Sequence, residues 1–91
     1  MTRMVGKYSV DSGLFTRDIP KGSKILSVRW QVSQPQMWVL VDPMEETEER
    51  QFVAIGTGHK HEVLDLSIKF IGTFINPGFN EVYHLFEIDK T

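Results

Sequence analysis

Within Lys24–Val32 the chain alternates from Leu26 onward between apolar and polar side chains. Leu26, Val28, Trp30 and Val32 fall on one side of an extended backbone, and Ser27, Arg29 and Gln31 fall on the other. A period of two fits a half-buried strand and excludes an amphipathic helix, because successive side chains of a pleated strand point to opposite faces. The rhythm recurs over residues 5–10, 14–19, 36–42, 50–55, 66–75 and 81–88, so seven strands are expected. Gly, Pro, Asn and Asp clusters separate them. In Pro20-Lys21-Gly22-Ser23 the proline presets one turn dihedral and the glycine permits a positive φ. Asn76-Pro77-Gly78-Phe79-Asn80 is a second turn of this kind, and 42–49 reads as a solvated acidic hairpin loop. Turns about every ten residues fit a small antiparallel β-sandwich or barrel.

Particular faces follow from the pattern. Phe15, Arg17 and Ile19 share one side, as do Leu66, Ile68, Phe70 and Phe74, and also Val82, His84, Phe86 and Ile88. Met37-Trp38-Val39-Leu40-Val41 is apolar on both faces. It is either a central strand covered twice or a strand whose outer face meets a ligand or partner. Residues 59–65 have no period and read as loop or a single helical turn.

With 91 residues there is room for one domain and one core. Ten basic and twelve acidic residues leave a net charge of -2, which speaks against a partner bound by phosphate neutralisation, so no nucleic acid is expected. The absence of cysteine excludes thiolate chemistry and disulfide staples and favours a reducing, cytoplasmic location. No apolar run reaches membrane-spanning length, and no signal-peptide core follows Met1.

Chemistry-bearing residues concentrate in Gly56-Thr57-Gly58-His59-Lys60-His61-Glu62, for which three readings compete. In an extended segment His59 and His61 project to one side, a ligand spacing used by β-sandwich metal sites. The pattern opens like a cupin motif, but Asp65 stands where glutamate is usual and the early glycine is missing. The second half-motif, around Pro77, Gly78 and His84, has the wrong spacing; neither metal nor other cofactor is expected. In the second reading the glycines, Thr57, His59 and Lys60 offer N–H groups and cationic side chains to an anion. In the third, the glycines are turn residues and the histidines solvated loop tips. His84 alternates with Val82 and Phe86 and reads as a hydrogen-bonded core or rim residue. No serine lies in a nucleophile elbow, and the carboxylates of 45–49 repel one another in solvent, so no enzyme is expected.

Ile19-Pro20-Lys21-Gly22-Ser23-Lys24-Ile25-Leu26-Ser27-Val28, Trp38-Val39-Leu40-Val41-Asp42-Pro43, Gly56-Thr57-Gly58-His59, Ile71-Gly72-Thr73-Phe74 and Tyr83-His84-Leu85-Phe86-Glu87 together resemble an uncharacterised family of small domains carried by tailed phages and prophages. The resemblance spans residues 7–87 and implies a small phage accessory protein; it carries no established activity and transfers no catalytic residues. The resulting expectation is a non-catalytic binding protein that sequesters a small anionic, nucleotide-like ligand, with counter-defence as its role. Its site is formed by Gly56, Thr57, Gly58, His59, Lys60 and His61, with Arg50 and Trp38 adding charge and an aromatic wall, at the boundary of a homo-oligomer. One alternative is an inhibitor or scaffold that grips a host or phage protein through an exposed edge strand or the Met37–Val41 face; a second is a metal-dependent cupin-like enzyme resting on His59, His61 and His84.

Overall fold

A computed structural model describes residues 2–65 and 67–89 and shows seven antiparallel strands in two sheets. One sheet has the order β1 (Met4–Ser9), β4 (Gln34–Val41), β3 (Lys24–Gln31). The other has the order β2 (Gly13–Pro20), β5 (Thr47–Gly56), β7 (Glu81–Ile88), β6 (Ile68–Asn76). A 3₁₀ turn over Glu62–Asp65 is the one helical element among the described residues. The architecture is an open sandwich. Phe15, Ile19, Phe52, Ala54, Phe74 and Leu85 from the four-stranded sheet meet Val28, Met37, Val39 and Val41 from the three-stranded one, and Val10 closes the cluster. Ile19, Phe52, Met37, Leu85 and Val39 are fully buried, each contributing about 1.5–3 kcal/mol relative to exposure.

Alternation fails at two bulges. Leu26 is an extra residue between the pairs Ile25↔Val39 and Ser27↔Trp38, so Ile25 and Val28 face the core and Leu26 is 44% exposed. Val32, expected on the same inner face, instead sits in the β3–β4 turn at φ 57° and is 95% exposed. In β6 the pairing shifts between Phe70 and Gly72, which turns Ile71 and Phe74 inward and leaves Phe70 and Ile68 on the outer face. Leu66 lies outside the described residues. At Gly72 a Cβ would stand 3.0 Å from Val28 Cγ1, so the missing side chain lets the β3 edge approach the β6 edge and close one side of the sandwich.

The chain between β5 and β6 positions the candidate site. Both strands run antiparallel to β7, which lies between them, so both end at the same end of the sheet. The connection must therefore travel back along the sheet before β6 begins. It does so over the outer face, where Val63 packs on Val53, Ile55 and Ile88 with Ile68 and Phe86 beside them. β5 is thereby buried on both sides from Phe52 to Gly56.

Candidate ligand groove

Four turns meet at one end of the sandwich: those after β1, β3 and β6, and the segment that leaves β5. Two shallow depressions open between them. The first, about 260 Å³, has a floor of buried Val10 and Phe74, walls of half-buried Trp30, Pro35 and Tyr83, and a rim of Asp11, Ser12 and Asn76. Trp30 is held by its indole N–H, which donates to the Val32 carbonyl at 3.2 Å. Tyr83 stacks on Phe74 with ring centres 5.5 Å apart, and its hydroxyl donates to the Glu81 carboxylate at 3.0 Å. That hydrogen bond, then burial and the nearby negative charge, holds the Tyr83 phenol above its ordinary value of 10.0. Asp11 is partly neutralised by Arg17 Nη2 at 3.2 Å.

The second depression, about 270 Å³, adjoins the first. It is lined by Ser12, Gly13, Ala54, Ile55, Gly56, His59, Lys60, His61 and again Tyr83. His59 folds its imidazole against the bare Cα of Gly56, where a Cβ would come within 2.7 Å of Nδ1. His61 Nδ1 accepts the Val63 N–H at 3.2 Å, which places the proton of the neutral ring on Nε2 and leaves that N–H as an outward donor. Lys60 is exposed and, among the described residues, makes no ion pair.

The backbone of the glycine turn contributes less than the sequence suggests. Thr57 N–H is spent on Val82 O at 2.9 Å and His59 N–H on Gly56 O at 3.0 Å, so the turn presents no run of free amides to an anion. The available donors are side chains. The Thr57 hydroxyl bonds His84 Nε2 at 2.8 Å while Thr73 bonds Nδ1 at 3.0 Å. Both His84 ring nitrogens are thereby engaged, as a hydrogen-bonded rim histidine requires.

The structure brings Gly56, Thr57, Gly58, His59, Lys60 and His61 to one corner and leaves Arg50 and Trp38 apart from it. Arg50 lies six residues back along β5, roughly 20 Å away at strand rise. Its guanidinium grips both Glu87 oxygens, at 2.6 and 2.7 Å, and the Ser23 carbonyl at 2.6 Å. The Glu87 hydrogen bonds hold its proton even more firmly than usual, against the opposing effect of burial. Trp38 stands on the outer face of the three-stranded sheet, across from Lys7 and Ser27. The aromatic wall of the groove is made by Trp30 and Tyr83, which no motif in the sequence connects. Among the described residues no three His, Asp or Glu side chains converge in a metal-holding group.

Over residues 1–91 the chain matches a family described as a domain of unknown function, DUF7352. The chain belongs to that family. No curated protein and no solved structure matches it. No helix among the described residues of this DUF7352 domain is long and apolar enough to cross a membrane.

Proposed function

We propose that this DUF7352 domain binds, without transforming it, a small anionic ligand that carries a flat ring, a nucleotide being the type case. One observation supports the reading: the aromatic and the cationic depressions share Ser12 and Tyr83 as a common wall. A ring entering between Trp30 and Tyr83 gains stacking and apolar burial, and its polar edge meets the Asp11 carboxylate and the Asn76 amide, whose Oδ1 already accepts the Gly78 N–H. A phosphate on the same molecule then reaches His59, Lys60 and His61 next door. The resemblance to phage-borne domains extends the proposal to an accessory protein that acts on its host stoichiometrically, by holding such a ligand out of circulation.

The test is calorimetric titration with cyclic and linear nucleotides. Binding of one class is expected, weakened about tenfold or more in Trp30→Ala, since a stacking contact is worth about 1–3 kcal/mol. Lys60→Ala, at an exposed position, weakens binding with no change in melting temperature. Gly56→Ala also weakens binding, by pushing the His59 ring off its seat. Silence across the panel from a folded protein overturns the reading.

A further inference from the structure

The outer face of the three-stranded sheet combines an apolar centre with a positively charged rim. Three cross-strand rows define it: Val5–Leu40–Lys24, Lys7–Trp38–Ser27 and Ser9–Gln36–Arg29. Trp38 and Leu40 are half-buried at its centre; Val5 and the bulged Leu26 are exposed beside them. Every formal charge in these rows is positive, although the chain as a whole carries more acid than base. The ion pairs join Arg17 to Asp11, Lys21 to Glu46 and Arg50 to Glu87. Among the described residues Lys7, Lys24 and Arg29 join none, and Lys7 Nζ instead donates to the neutral Gln31 Oε1 at 3.0 Å.

We infer that this face docks an acidic protein segment, one that sets apolar side chains on Trp38, Leu40 and Val5 and carboxylates against Lys7, Lys24 and Arg29. An apolar centre containing a tryptophan, rimmed by unpaired cations, has the composition of a protein-recognition patch that awaits complementary charge. Single-stranded nucleic acid fits it less well, because such ligands call for several exposed stacking rings along a basic track, and here a single indole lies half-covered among aliphatic side chains. A second copy in symmetric contact through this face is opposed by charge, since its lysines and arginine would meet their own kind. Among the described residues the outer edge of β1 pairs with no strand, so an extended segment also has backbone groups to pair with.

The experiment titrates the full chain with a short peptide of alternating valine and glutamate, with its valine–lysine counterpart, and with oligo-dT, following tryptophan emission; sedimentation reports self-association. The Val/Glu peptide is expected to bind. Its affinity should fall about tenfold or more in Lys7→Glu and in Arg29→Glu, and fall with added salt, while circular dichroism stays that of the parent. Should Arg29→Glu fail to fold, Arg29→Gln and the salt series carry the same reading. Tighter binding of oligo-dT, equal binding of the Val/Lys peptide, no binding of either peptide, or occupation of the face by a second copy would each overturn the inference.

Discussion

The two ends of β5 carry cations with opposite fates. Near its start Arg50 is folded between strands and saturated by the Glu87 carboxylate and the Ser23 carbonyl. Just beyond its end His59, Lys60 and His61 line a depression with donors to spare. Residue type does not separate the two cases; the supply of acceptors does. A buried guanidinium without a partner is too costly to survive folding, so the closed end fixes structure, and a cation left exposed on a loop, as Lys60 is, remains available to a ligand.

The largest expected effect tests the closed end. Glu87→Gln removes the charge that compensates Arg50 in a pair whose side chains are both below one-fifth exposed. It should destabilise the domain by about 2–3 kcal/mol, a little under the range for fully buried pairs. For a domain of this size the melting temperature should fall by roughly 10–20 °C. Loss of less than a few degrees would mean that Arg50 is as dispensable as Lys60. At the open end Val32→Asn should raise stability by about 0.5–1 kcal/mol, because a β-branched residue is held at positive φ where asparagine is at ease. Chemical denaturation showing no gain would indicate a turn without strain. The smallest effect is spectroscopic. Tyr83 must keep its proton to donate to Glu81, so the stability tied to this hydrogen bond is present below the ordinary phenol range. It is lost as pH rises through the elevated Tyr83 value. Ultraviolet titration should show one tyrosine ionising above the usual range, moving toward it in Glu81→Gln and absent from Tyr83→Phe.

What could be read from the chain was local. Strand number, the turns at Pro20–Ser23 and Asn76–Asn80, and the inward face of Phe15, Arg17 and Ile19 all follow from spacing, because pleat geometry acts over two or three residues. The bulges at Leu26 and Ile71 were not legible, since a bulge is a relation to the neighbouring strand. Arg50 and Glu87 lie 37 positions apart with no motif between them, so nothing in the sequence marked Arg50 as already engaged. Nor could alternation tell that Trp30 and Tyr83, from opposite sheets, flank the same opening. The cluster Gly56–His61 was legible because all its members come from one continuous loop.

Val63 gives that loop a dependence that its own residues do not reveal. The strap leaving β5 is tied at both ends and riveted midway to the far side of the sheet, with His61 two positions before the rivet. Loosening Val63 would let the strap slacken while the interior stays assembled, and the histidines would lose their aim before the protein lost its shape. Amide exchange along residues 59–65, rather than global melting, is where such slack would first register.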